Sequence, residues 1–214
     1  MGAAIDHLAV AALDLAGGAP ALERELGVPL LPGGQHARMG THNRLLRLGA
    51  DAYLELIAID AAGAAPGRPR WFELDRPEMQ ARLGGGPRLV HWVARVDSSD
   101  LPPLPFDVGP WEAFQRGDLS WQLTVRTDGT LPADGVVPSL IRWSGQAHPA
   151  SRLPDAGVHL ETLALEHPRA AEVQRQLDLL GLAVRCSAGP VPRITAHLRT
   201  PGGPRTLRSV PTAR

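Results

Sequence analysis

Three segments of this chain share one pattern. A repeat constrains a fold more than any composition does, because each copy must be one supersecondary unit leaning on its neighbours. The segments are IDHLAVAA (5–12), LVHWVARV (89–96) and GVHLETLALEH (157–167). Each is a strand-like run carrying a histidine near its start: His7, His91 and His159. After the first comes GGAPALERELGVPL, where Ala21, Leu22 and Leu26 fall on one helical face and Gly27 stands where a C-terminal cap belongs. After the third comes HPRAAEVQRQLDLLGLAV, with Pro168 near the start and Gly181 just past the end. Val173, Leu177 and Leu180 there share one face. The second copy has DSSDLPPLPFDVG in this place, and its prolines leave a short helix or none.

Strand candidates follow each of these. They are a short piece near 35–39, HNRLLRLG (42–49) and AYLELIAI (52–59) in the first; GPWEAFQR, LSWQLTVRT and VVPSLIRW in the second; AVRCSA, RITAHLRT and TLRSVP in the third. The unit is therefore β-α-β-β-β, and the fold class predicted is α+β. The expected organisation is a first unit over 1–62, a helical linker over 63–87, a second unit over 88–150 and a third, divergent unit over 151–214. Gly, Pro and Ala enrich both connections.

The strand ADAYLELIAID (50–60) poses the chemical question. Glu55 sits among the residues a buried strand wants, and a carboxylate is rarely buried without a partner. Composition narrows the answers. The 22 basic residues, all arginine, balance 22 acidic ones, so no basic field for nucleic acid or an anionic membrane exists. With no lysine there is no Schiff base and no Walker A site. One cysteine, Cys186, allows no internal disulfide and no Cys-based zinc site, and it reads as a structural thiol. No leader or spanning run is visible, and a soluble, cytoplasmic protein is expected.

A paired β-α-β-β-β architecture with histidine on the first strand and glutamate on the last resembles the vicinal oxygen chelate superfamily. The stretch IDHLAVAALDL … GGQHARMGTHNRLLRLGADAYLELIAID resembles, more narrowly, its glyoxalase-like domain family. The likeness is strongest over 4–60, stays recognisable to about 165 and is weakest in the last repeat. It implies two units closing a cup-shaped mixed sheet around a cavity, with a third related C-terminal unit. It also implies a divalent metal (Fe, Mn, Zn or Ni) held by His7, Glu55, His91 and the residue at 142. Residue 142 is Arg, which departs from that pattern.

Period-2 alternation puts His7, Glu55 and His91 on faces that could converge as a 2-His-1-carboxylate set. Arg142 is the other candidate partner, because a guanidinium satisfies a buried carboxylate and repels a cation. Two answers therefore stay open for Glu55, a metal or Arg142. The polar segment GGQHARMGTHNRLL offers His42 as a general base, with Glu55 as the other catalytic candidate, and His36 and Asn43 as substrate contacts. Arg126 and Arg142 on neighbouring strands would favour a carboxylate or phosphate if their faces turn inward, and the opposite orientation is open. Trp71, Trp92, Trp111 and Trp143 read as core. His159, Glu161 and His197 are the polar residues of the third repeat, whose sheet could pair with the other repeats or with another copy of the chain in a homodimer.

The function these readings imply is binding of a small polar or anionic metabolite in the cup, with metal-dependent lyase, isomerase or dioxygenase chemistry. The alternative is metal-free small-molecule binding or antibiotic sequestration of the bleomycin-resistance type.

Overall fold

In the computed structural model, which describes residues 2–145 and 148–209, the first repeat opens with β1 (Ala4–Ala11) and α1 (Leu15–Leu26). β2 (Leu31–His36), β3 (Thr41–Arg47) and β4 (Tyr53–Ile59) follow. α1 begins where the Asp14 side chain accepts from the Gly17 N–H, and it ends at Gly27 in the left-handed region. Leu22 and Leu26 are buried as their spacing predicts; Ala19 takes the inner position expected of Ala21.

The second repeat supplies β5 (Arg88–Arg95), β6 (Trp111–Arg116), β7 (Leu119–Thr124) and β8 (Ser139–Trp143), with no helix between β5 and β6. Parallel pairs β1–β4 and β5–β8 are joined by the antiparallel pair β1–β5. The result is one eight-stranded sheet of order β2-β3-β4-β1-β5-β8-β7-β6 that curls into a cup. Side chains close the seam between its edge strands β2 and β6. Arg38, just past β2, donates to the Ala113 carbonyl and pairs with Glu112, which also holds Arg68 at 2.7 Å.

The linker does more than connect. Trp71, Phe72 and Leu74, with Met79 and Leu83 of α2 (Pro77–Leu83), pack inside the cup against Ala9, Ile57, Val93 and Ile141. To insert there, the backbone turns through left-handed angles at Phe72 (φ 58°) and Glu73 (φ 59°). Side chains with a Cβ adopt such angles at a cost of about 1–3 kcal/mol each. The hydrogen bond from the Glu73 N–H to the Gly129 carbonyl, 3.0 Å, helps hold the turn.

After the short α3 (Pro149–Arg152), the third repeat runs β9 (His159–His167), α4 (Ala170–Leu180), β10 (Arg185–Ala188), β11 (Arg193–Thr200) and β12 (Gly203–Arg208). Its element order is that of the repeat, but its strand order, β10-β9-β11-β12, is not, since β10 returns directly beside β9 in parallel. Residues 210 and 211, the end of the last expected strand, lie outside the described residues. Val173, Leu177 and Leu180 of α4 are buried, as predicted.

This third unit takes over a task the second repeat cannot perform. α1 packs Leu22 and Leu26 on the outer face of the sheet's first half. The second half has no helix, and its outward Trp92, Ala94 and Leu140 share one hydrophobic cluster with Leu163, Leu165, Ile194, Ala196 and Leu198 of the third sheet. Trp92 is completely buried, its indole N–H donating to the Val136 carbonyl at 2.8 Å. Among the described residues, no helix is long and apolar enough to cross a membrane.

Candidate functional site

β1 pairs with β5 through a register shift between Ile5 and His7, a bulge that breaks strict alternation. Asp6, fully buried, therefore bonds to groups of the cup: His7 Nδ1 at 2.7 Å, and Trp143 Nε1 and His148 Nε2 at 2.9 Å each. Burial pushes the Asp6 carboxyl up, but the hydrogen bonds and charges of His148 and His7 outweigh it. The group is held well below the usual carboxylate range. An ionised Asp6 accepts a hydrogen bond from the Nδ1–H of His7, which leaves Nε2 facing inward. Tyr53 stacks on that ring at 4.6 Å, and burial, then Asp6 and Glu55, raise its phenol well above the ordinary value.

Glu55 lies opposite. Its Oε2 is 3.7 Å from His7 Nε2, and its Oε1 accepts from Asn43 Nδ2 at 2.5 Å and stands 3.9 Å from His36 Nε2. The Asn43 oxygen accepts from the Gly34 N–H and from Arg116, so this network fixes which way the amide points. Arg116 also donates to His36 Nε2 at 3.3 Å, while His36 Nδ1 meets Thr41 Oγ1. Burial pushes His36 down to about 4, against the pull of Glu55, so the ring is neutral near pH 7. The closeness of β2 to these groups needs glycine. A Cβ on Gly33 would sit 1.9 Å from Asn43 Oδ1, and one on Gly34 2.6 Å from Arg116 Cδ.

These polar groups and the apolar wall of Trp71, Phe72, Trp121, Ile141 and Trp143 enclose a cavity of about 30 Å³. The Trp71 indole N–H is buried without a hydrogen-bond partner.

Other expected residues lie elsewhere. His42 alternates with Thr41 and Asn43 on β3, so its ring is on the opposite face from the cavity, and its Nε2 is buried without a partner. Arg142 lies between the cavity-lining Ile141 and Trp143, points outward and donates to Ser99 Oγ at 2.8 Å; it does not pair with Glu55. On β7 the apolar Trp121 and Leu123 turn inward, which sends the polar face out. Arg126 lies past the strand end, bonded to Thr130, Asp107 and Asp128. The expectation of an arginine pair in the cup is thus corrected by the strand's parity. Of the tryptophans expected in the core, Trp71 and Trp143 also line the cavity, as does Trp121. In the third repeat, His159 lies 3.9 Å from Asp155, Glu161 pairs with Arg199, and His197 meets Thr206. These three make no common site. Burial pushes the Cys186 thiol up to about 11, far from a reactive thiolate.

A family model described as a glyoxalase-like domain matches residues 5–181, most of the chain. The chain belongs to the glyoxalase-like domain family. Among solved structures, a hypothetical protein from Staphylococcus aureus is 13% identical with a TM-score of 0.55, covering 97% of this chain and 85% of its own. Methylmalonyl-CoA epimerase from Mycobacterium tuberculosis is 18% identical with a TM-score of 0.42, covering 67% of this chain and 88% of its own. The Streptomyces coelicolor epimerase, in complex with 2-nitronate-propionyl-CoA, is 15% identical with a TM-score of 0.40, over 68% and 98% of the two chains. The Staphylococcus aureus structure shows the shared fold, and likenesses at such identities say nothing of chemistry. No curated protein matches the sequence.

Vicinal oxygen chelate proteins, the superfamily of this glyoxalase-like domain, often hold a divalent metal, so the residues present must be tested against one. His91, expected as a ligand, is fully buried with both ring nitrogens engaged. Nδ1 meets the Gly135 carbonyl, and Nε2 accepts from the Ser139 N–H, both at 3.0 Å. Burial pushes it down to about 3. Strand register pairs Ala9 with Glu55 and Val93 with Ser139, so the mirror position of Glu55 is Ser139, itself bonded to His91. Of the expected ligand set only His7 and Glu55 face the cavity. His36 is the one further imidazole there, and its Nε2 lone pair is taken by the Arg116 guanidinium. Among the described residues, no three His, Cys, Asp or Glu side chains are grouped to hold a metal. The cup of this glyoxalase-like domain does not fit the metal its superfamily implies.

Asp6, Arg116, Ser139 and His148 were not singled out by the sequence. Asp6 carried a local signal, an acid beside a strand histidine, hidden by the assumption of strict alternation. Arg116 and His148 carried none, since their partners are remote in the chain.

Proposed function

We propose that the cup binds the carbonyl head of a small anionic metabolite and moves a proton on the carbon beside that carbonyl. The observation that carries this is the 3.7 Å gap between His7 Nε2 and Glu55 Oε2, with each group separately oriented, His7 by Asp6 and Glu55 by Asn43. Glu55 takes the proton from carbon, the bonding pair moves onto the carbonyl oxygen, and Arg116 with the unpartnered Trp71 N–H receives that oxyanion. His7, whose Nε2 faces Glu55, accepts the proton from Glu55; a solvent proton returned to the same carbon gives exchange, and the proton delivered to the neighbouring atom gives migration.

A preorganised site supports this over metal-assisted chemistry, since Arg116 supplies the positive charge a cation would bring. The test is hydrogen exchange at the carbon next to the carbonyl of 2-oxo carboxylates in D₂O, followed by NMR. Exchange in the wild type that is lost in Glu55→Gln supports the proposal. Saturable binding with no exchange favours a binding protein, a reading its aromatic walls also suit. Neither binding nor exchange overturns both readings for this substrate class.

A further inference from the structure

At about 30 Å³ the cup has room for little more than a water-sized group. A metabolite whose reacting carbon enters it must keep its body elsewhere. A cleft of about 640 Å³, well within the size range of small-molecule sites, opens between the 126–134 segment and the third repeat. Its apolar wall is Phe106, Leu131, Pro168, Pro190, Val191 and Pro192. Proline lacks an N–H and has a fixed φ, so this wall is ordered before any ligand arrives and asks for no hydrogen bonds. The rim guanidiniums are already neutralised. Arg126 pairs with Asp107 and Asp128, and Arg169 pairs with Glu172 while lying 4.5 Å over the Phe106 ring. Thr130, Asp134 and His167 complete the polar lining, and the greater part of the wall is apolar, so selection in the cleft falls mainly to shape and apolar area.

Cleft and cup adjoin. A small intervening cavity shares Arg126, Thr130 and Leu131 with the cleft, and Trp71, Phe72 and Leu123 with the cup. The partition is the linker turn that carries left-handed strain at Phe72 and Glu73 and an unpartnered indole N–H at Trp71. The Glu73 N–H bonds to Gly129, next to Thr130, whose hydroxyl accepts from Arg126 in the cleft.

We infer that this cleft is the subsite for the apolar body, an acyl chain or ring, of an extended carbonyl acid whose oxygenated head reacts in the cup after passing Trp71 and Phe72. The inference rests on the proposed function of the cup. It assigns to the third repeat a part in substrate selection as well as in covering the sheet.

The test is calorimetric titration of straight-chain 2-oxo carboxylates, from pyruvate to 2-oxodecanoate, into wild type, Glu55→Gln and the cleft-filling variants Val191→Trp and Pro190→Trp. Both cleft positions lie on the loop between β10 and β11, so at least one replacement is expected to fold. In wild type, affinity is expected to rise roughly fourfold per added methylene until the cleft is filled. In the tryptophan variants the rise is lost while pyruvate binds as before. In Glu55→Gln the rise persists while hydrogen exchange at the carbon beside the carbonyl, followed by NMR in D₂O, is lost. A flat series in wild type, or a rise that survives both tryptophans, overturns the cleft assignment while leaving the cup intact. A normal rise with exchange absent in wild type, or unchanged in Glu55→Gln, overturns the cup reading and leaves the apolar subsite standing. Binding by no member of the series overturns both.

Discussion

His7 and Glu55 face each other across 3.7 Å, the imidazole held from behind by Asp6 and the carboxylate from its side by Asn43. With the Nδ1–H donated to the Asp6 carboxylate, Nε2 and the Glu55 carboxylate are opposed acceptors, and a proton between them satisfies both. Replacing Glu55 with Gln keeps the bond from Asn43 and offers His7 a donor. Stability is therefore expected within about 1 kcal/mol of wild type, while carbon-bound hydrogen exchange falls on the order of 10²–10⁴-fold. A large drop in melting temperature would show instead that the carboxylate is a structural anchor.

Asp6→Asn is expected to destabilise by roughly 3 kcal/mol, because Asp6 is wholly buried and accepts from three donors that an amide cannot all satisfy. Urea unfolding measures this. A midpoint equal to that of wild type would mean the three donors find other partners.

Stability is expected to fall as the solution is acidified from neutrality. In the folded chain His36 takes a proton only near pH 4 and His91 near pH 3, while both protonate near 6.5 when unfolded. Between those values the unfolded chain holds more protons, so each ring costs up to about 1.4 kcal/mol per pH unit below 6.5. Asp6 acts the same way at lower pH. Its contribution is full above the unfolded carboxylate value and is lost as pH falls toward its depressed folded one. Urea midpoints from about pH 7 to about pH 4.5 read the slope, and His91→Gln should flatten it. A midpoint independent of pH would contradict the burial of neutral rings.

The two glycines of β2 separate stability from site geometry. In Gly33→Ala the new methyl meets the Asn43 side chain at 1.9 Å and its carbonyl at 2.8 Å, so backbone must move, at about 1–3 kcal/mol. In Gly34→Ala it meets the flexible Arg116 side chain, so the fold should hold while Arg116 loses Asn43 and His36. Equal melting temperatures for the two variants would rule out this distinction.

Adding Fe(II), Mn(II), Zn(II) or Ni(II) to protein purified without a histidine tag is expected to leave its melting temperature unchanged, with elemental analysis finding no stoichiometric metal. Near one metal per chain, lost in His7→Ala, would mean that Arg116 releases His36 and the cup rearranges around a cation.

Much of the scaffold was legible in the sequence because its signals are local. Caps at Gly27 and Gly181, helical spacing at Val173, Leu177 and Leu180, and period-2 strands carrying His7, His91 and Glu55 depend on a few neighbouring residues. The prolines that remove the second helix act just as locally. Repetition of those signals led to the α+β cup and the glyoxalase-like resemblance. The tertiary structure decided which face of each strand turns inward, and one residue of parity separates a cavity wall from solvent. It sent Arg142 and His42 away from Glu55, turned Asp6 through a bulge to Trp143 and His148, and carried Arg116 across the seam to Asn43. It also seated Trp71 of the linker inside the cup and laid the third repeat over Trp92. Each of these joins residues far apart in the chain, and their partners were set by packing of whole sheets, which no short stretch of sequence encodes.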